Sequence, residues 1–306
     1  MSWVAEEGLR FVLAGTSIVS DWRNPAATTN RAVMTALVEL GHEATYLEPR
    51  MDPALVGLLK ARGSGPMRAF LAAYPSLQYR TIDLPEPFQA SAWAGQFLST
   101  GSAAIALMGC PAVIEDGFRQ FESAAMRFLS EEPEGAGSTL VEGTEGHVLT
   151  PYQPAVLPRT WDEPRSGSLL VAYDDAELAR TVASVLRPDA MVVSGTADLA
   201  DWEWVPEVDL PARYGRAERV VVVDGGESLA PARVWLARAN GATAWGIAVE
   251  TGGDKLGDVA VTIEEIGSID WDVSTPVRAD VDSRVVAARL VELAQPRDVV
   301  SMNGKG

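Results

Sequence analysis

Two short constellations in this chain of 306 residues carry side chains suited to chemistry. The first is the run Gly15, Thr16, Ser17, which closes the apolar stretch "RFVLAG" and leads through "DWRNPAATT" into a helical pattern. A turn between a buried strand and a helix N-terminus leaves backbone amides unpaired at the positive end of the helix dipole. Gly15, Thr16, Ser17, Asn24 and Thr28 are therefore candidates to hold a polar or anionic ligand. The second constellation is "DGGESLAPAR", where Glu227 follows two glycines that let a backbone approach a ligand closely, and Arg233 offers a cation to an anion. Each feature also has a plainer explanation. A carboxylate at a helix start is favoured by the dipole alone, and Arg233 and Lys255 read equally as surface charges. In "YDDAELAR", Asp174 and Asp175 would repel an anion or cap a helix, with Asp174 and Glu177 spaced as a capping box.

Other chemistries lack their residues. The single cysteine, Cys110, permits no intrachain disulfide and no multi-cysteine metal site, and its place before a proline at the end of "AAIALMGC" reads as a buried, inert thiol. The two histidines, His42 and His147, have no helical i, i+4 partner, so no metal is expected; His42 in "LGHEATYL" stands where a turn enters a strand. No G-x-G-x-x-G follows the first strand, so no nicotinamide cofactor is expected, nor any other. The formal charge of −17 opposes nucleic acids and anionic membrane surfaces. No apolar run approaches the roughly 18 residues of a membrane span. The acidic start "MSWVAEEGLR" lacks a signal-peptide h-region, so a cytoplasmic location is expected.

The elements that must position these residues alternate. "RFVLAGTS" reads as a buried strand, and "ATTNRAVMTALVELG" sets Val33, Ala36, Leu37 and Leu40 on one helical face closed by Gly41. "HEATYLEP", "YRTIDLP" and "SAAIALMGC" continue as strands, with "PFQASAWAGQFLSTG" and "PAVIEDGFRQFESAAMRFL" as helices. "EEPEGAGSTLVEGTEG" breaks the rhythm, and "YQPAVLPRTWDEPRSGS" supplies the prolines of an interdomain crossing. A second set follows: strands in "SLLVAY", "AMVVSGT", "ERVVVVDGG", "TAWGIAVE" and "VAVTIEE", helices in "DDAELARTVASVLRP", "APARVWLARANG" and "DSRVVAARLVELAQP". The pattern predicts an α/β chain of two Rossmann-like domains, residues 1–157 and 158–306, each a parallel sheet covered by helices.

The wording of the first loop and helix, "WRNPAATTNRAVMTALVELGHEATYLE", resembles the opening of the CgeB-type branch of the GT-B glycosyltransferases, W-G-N-G-H-A-T-T-Y-R-A-L followed by G-H-x-V-x-F-L-E. A second stretch, residues 210–242, is similar to the donor-domain segment of that family, P-x-x-R-x-F-E-A-x-A-C-G. The resemblance implies two domains facing across a cleft, with a nucleotide sugar held by the second and an acceptor by the first. It also implies losses. The family's glycine and histidine after Asn24 fall on Pro25 and Ala26, and its helix glutamate, expected to hold ribose hydroxyls, falls on Leu236, which accepts no hydrogen bond. Glu227 is the carboxylate available to replace it, and Arg233 the cation matching the family's donor motif. The tryptophans at 202, 204, 235 and 245 read as core, with stacking on a base or sugar as the alternative. The expected activity is transfer of a sugar from a nucleotide sugar, with an altered donor site. The alternative is a catalytically silent homologue that binds a catalytic partner or a metabolite; the expected partners besides a nucleotide sugar are another protein or further copies of this chain.

Overall fold

The computed structural model describes residues 8–19, 26–99, 102–107, 110–120, 125–128, 141–142, 148–150, 159–224, 231–248, 260–262, 265–269, 271 and 282–294. Its first sheet is built from β1 (Arg10–Ala14), β2 (Glu43–Pro49), β3 (Gln78–Ile82), β4 (Ser102–Ala106), β5 (Ala125–Phe128), β6 (Val141–Glu142) and β7 (Val148–Thr150). The order across it is β3-β2-β1-β4-β5-β7-β6, parallel except for the antiparallel β6–β7 pair. The second sheet holds β8 (Ser168–Ala172), β9 (Ala190–Val193), β10 (Glu203–Trp204), β11 (Arg219–Val223), β12 (Thr243–Ala248) and β13 (Ala260–Thr262). Its order is β10-β9-β8-β11-β12-β13, and every pairing is parallel.

Both sheets thus wind outward from a central strand, reverse, and continue on the other side, the doubly wound order of a Rossmann domain. The central strands are continuous apolar runs because both faces are covered. In β4 every residue is buried, and in β1 and β11 all but the first.

The covering helices are α1 (Ala26–Glu39), α2 (Pro53–Arg62), α3 (Gly65–Ala73), α4 (Ala90–Ala94), α5 (Ala112–Arg119), α6 (Ala176–Leu186), α7 (Leu210–Arg216), α8 (Pro231–Ala239) and α9 (Ser283–Ala294). None is long and apolar enough to cross a membrane. In α1 the residues Val33, Met34, Ala36 and Leu37 are at most 2% exposed, whereas Leu40, assigned to that face by spacing, is 48% exposed. The helix has ended by then: Gly41, at φ +88°, turns the chain toward β2.

Three further differences from the sequence reading have local causes. Asp175, not Asp174, caps α6, accepting from the Leu178 amide at 2.8 Å, while Asp174 accepts from the Thr196 hydroxyl at 2.9 Å. The Gly-rich stretch that breaks the alternation contributes β6 to the first sheet, and β7 follows directly after it. Helices α2 and α3, absent from the sequence reading, fill the connection from β2 to β3. Asp52 starts α2 by accepting from the amides of Ala54 and Leu55.

The crossing segment is stapled to the second half. Arg159 N–H donates to Ala239 O, Trp161 Nε1 to Asn240 Oδ1 at 2.9 Å, and Ser166 N–H to Arg216 O. Gly215 makes room for the Trp161 ring, which a Cβ there would meet at 2.4 Å. The two halves also share one buried core: Phe11, Leu13, Val33 and Leu37 belong to the same cluster as Leu169, Val171, Val220 and Val222. Helix α9 returns to lie along α1, with Val286, Ala287 and Leu290 fully buried in that cluster.

Candidate functional site

In doubly wound sheets a ligand crevice opens at the carboxyl ends of the strands, where the winding reverses. That point lies between β1 and β4 in the first sheet and between β8 and β11 in the second. The turn after β1, Gly15 to Val19, is held by a dense set of contacts. Tyr46 Oη donates to Thr16 O at 2.6 Å, Gly15 N–H to Leu47 O at 3.4 Å, and Val19 N–H to Ser17 Oγ at 3.3 Å.

The peptide groups of Ile18 are held from both sides. Its N–H donates to Glu48 Oε2 at 3.0 Å, and its carbonyl accepts from Arg31 Nη1 at 2.6 Å. The same guanidinium reaches Thr28 Oγ1 at 3.2 Å and pairs with Glu207, in the 3₁₀ turn Glu207–Asp209 of the second half. Thr28 Oγ1 in turn donates to Glu207 Oε1 at 2.8 Å.

Glu48 is 0% exposed, at the end of β2 on the same strand face as Ala44 and Tyr46. Burial raises its pKa from the ordinary carboxylate range to about 7; the Ile18 amide works against that, and the nearby Asp52 charge adds to it. Burial, and next the Glu48 charge, likewise push the Tyr46 and Tyr79 hydroxyls upward. Glu48 can exchange a proton near neutral pH, and what it touches is the turn after β1.

At the second reversal point, Arg233 lies on α8 with its guanidinium 3.6 Å from the centre of the Tyr173 ring and paired with Asp224, the residue after β11. Arg233 is 1% exposed and is the largest fully buried side chain described. Tyr173 is fixed by its own backbone, donating to Val223 O and accepting from the Ala197 amide. The turn after β9 presses on it: a Cβ on Gly195 would stand 2.4 Å from Tyr173 O.

The seam between the halves has a second contact. Arg62, at the end of α2, donates to the carbonyls of Gly195 and Ala197 at 3.2 and 3.1 Å and lies over the Trp204 ring. Partial burial lowers its pKa, an effect that Asp198 opposes. Beside it lies a narrow crevice of about 10 Å³ lined by Val19, Leu58, Pro66, Ser194, Trp204 and Glu207. That is room for roughly one water molecule.

Of the residues singled out in the sequence, Gly15, Ser17 and Thr28 are buried and Thr16 half-buried, all in or beside the network centred on Arg31. Arg233 sits in the other half, and the two sides meet because α1 packs on α8. Asn24 and Glu227 lie outside the described residues, as do Lys255 and His147. Cys110 is half-buried. His42 Nδ1 accepts from the Leu9 amide at 3.2 Å, where the chain enters β1 beside β2. Trp202 and Trp235 are core, while Trp204 and Trp245 are half-buried, each faced by an arginine.

Sequence reasoning missed Arg31, Glu48 and Glu207. The one available signal was the phase of "EATYLEP", in which Glu48 falls in step with Ala44 and Tyr46. Among the described residues no group of three or more His, Cys, Asp or Glu could hold a metal ion.

No protein-family model matches the chain, and no curated protein matches it. Solved structures do. The spinosyn rhamnosyltransferase SpnG, complexed with thymidine diphosphate, is 13% identical at a TM-score of 0.42, over 94% of this chain and 96% of that one. MurG of Acinetobacter baumannii is 15% identical at 0.46, over 94% and 99%. A Listeria monocytogenes protein assigned as a UDP-N-acetylglucosamine 2-epimerase is 8% identical at 0.49, over 93% and 95%. With its two doubly wound sheets meeting along one seam, the chain has an α/β architecture of two Rossmann-like halves.

Proposed function

We propose that this chain is a GT-B-fold glycosyltransferase that takes a sugar from a nucleotide sugar, with an altered donor site. The observation that carries the reading is the packing of α1 on α8. These helices follow β1 and β11, strands at the reversal points of the two sheets, and their contact supports a reading in which the ligand-binding ends of both sheets serve one site. On this reading the first half offers Gly15, Thr16, Ser17, Asn24 and Thr28 to the acceptor side, and the second offers Glu227 and Arg233 to the donor. The motif resemblance to the CgeB-type branch supports the same assignment of sides. Arg233, backed by Asp224 and Tyr173, is on this reading the donor side's cation.

A specific observation favours a second reading, a catalytically silent homologue that serves a protein partner. The cation matching the donor motif is neutralised by Asp224, and Thr28 is committed to Glu207 across the seam. Calorimetry and thermal shift against UDP-, GDP- and TDP-sugars, followed by assay of sugar release, separate the two. A ligand that binds the native state raises its stability by mass action. Saturable binding with turnover supports the enzyme, whereas silence at millimolar concentration supports the accessory role.

A further inference from the structure

We propose that Arg31 couples the conformation of the Gly15–Val19 turn to the closure of the two halves. One guanidinium makes both contacts: Nη1 holds the Ile18 carbonyl of the turn, and Nη2 holds Glu207 of the opposite half. Both side chains of the pair are nearly dry, 4% and 1% exposed, so solvent does not readily take the place of either partner. Thr28 ties the two contacts together by accepting from Arg31 and donating to Glu207.

Separating the halves at this point removes the anion that orients the guanidinium. The Ile18 carbonyl then loses its donor, and the turn is left with Glu48, Tyr46 and its backbone contacts. A buried charge stripped of its partner is costly enough that Arg31 must turn toward water when Glu207 leaves. The linkage is reciprocal, because whatever draws the turn away from Arg31 weakens its hold on Glu207. Arg62 supports the same seam by donating to the carbonyls of Gly195 and Ala197. The coupling does not depend on any nucleotide sugar and stands or falls apart from the function proposed above.

Hydrogen exchange followed by mass spectrometry tests it on the full chain with Glu207→Gln and Thr28→Val. The first removes the charge while keeping the shape; the second removes one hydrogen bond. Peptides covering residues 15–19 should exchange faster in Glu207→Gln by about one to two decades, as expected for loss of a charge-assisted contact, and by less in Thr28→Val. Peptides covering 207–210 should quicken in parallel, while β12 keeps its wild-type protection as the measure of intact fold. Faster exchange at 207–210 with residues 15–19 unchanged overturns the coupling, and so does no change at either. Should Glu207→Gln fail to fold, Thr28→Val is judged by the same pattern.

Discussion

Arg31 on α1 and Glu207 in the 3₁₀ turn of the second half, at opposite sides of the domain seam, form a buried ion pair. A buried pair is expensive to break on one side only, because the remaining charge is left desolvated. Arg31→Ala should therefore destabilise the protein by about 3–5 kcal/mol. The double replacement Arg31→Met with Glu207→Leu should recover most of that loss. Denaturant unfolding of wild type and the two variants measures it.

The core common to both halves predicts how the protein melts. Leu13 and Val33 belong to one buried cluster with Val171 and Val222, so neither half can open without exposing the other. Scanning calorimetry should show a single transition, with equal calorimetric and van't Hoff enthalpies. Two resolved transitions would mean that the shared cluster contributes little.

Glu48 gives stability an unusual pH dependence. Its folded pKa, about 7, lies above the ordinary carboxylate value, so its contribution is complete below about pH 4.5 and is lost as pH rises through 7. A shift of this size corresponds to about 3 kcal/mol. The carboxylates of Asp189, Glu163, Glu265 and Asp282 are shifted the other way, so their contributions are lost only at more acidic pH. Between pH 4.5 and 7 the stability should thus fall with rising pH, and Glu48→Gln should flatten that slope in urea titrations.

Arg233 has a structural role that precedes any ligand. Arg233→Ala removes the ion pair with Asp224 and the cation stacked on Tyr173, and should lower the melting temperature in ligand-free buffer. Where the fold survives, donor binding should weaken by about one to two decades. If only a ribose contact has been lost at the donor site, Leu236→Glu should raise affinity. Parallel thermal-shift and calorimetric measurements keep the effects on fold and binding apart.

Gly195→Ala should cost about 1–3 kcal/mol, the range for overpacking a dense site. The new Cβ would meet the carbonyl of Tyr173, a backbone atom that cannot swing aside. Equilibrium unfolding would show it, and a neutral result would mean that the turn after β9 yields freely.

The central strands β1, β4, β8 and β11 were legible because burial on both faces demands unbroken apolar runs, and those runs stand out in the sequence. Strands β6 and β7 were not: two or three residues in or just after a Gly- and Glu-rich stretch carry no period to read. At α6 adjacent aspartates offered two caps, and backbone geometry alone selects Asp175. The candidate site was legible as a place, the turn after β1, and not as a mechanism. Charged residues such as Arg31, Glu48 and Glu207 read as solvent-facing until a distant partner is known, and the Arg31 partner lies 176 positions away.

Helix α9 lies along α1 and buries Val286, Ala287 and Leu290 in the core that contains Val33, Met34 and Leu37. During synthesis the chain emerges from the N-terminus at roughly 5–20 residues per second, so α1 waits on the order of ten seconds or more for the helix that covers it. Over that interval an apolar face of the nascent first domain is open to chaperones and to other nascent chains. The first domain therefore completes its packing only once the distant Ser283–Ala294 segment has emerged, and ribosome-stalled chains ending before Ser283 should be the species that chaperones retain.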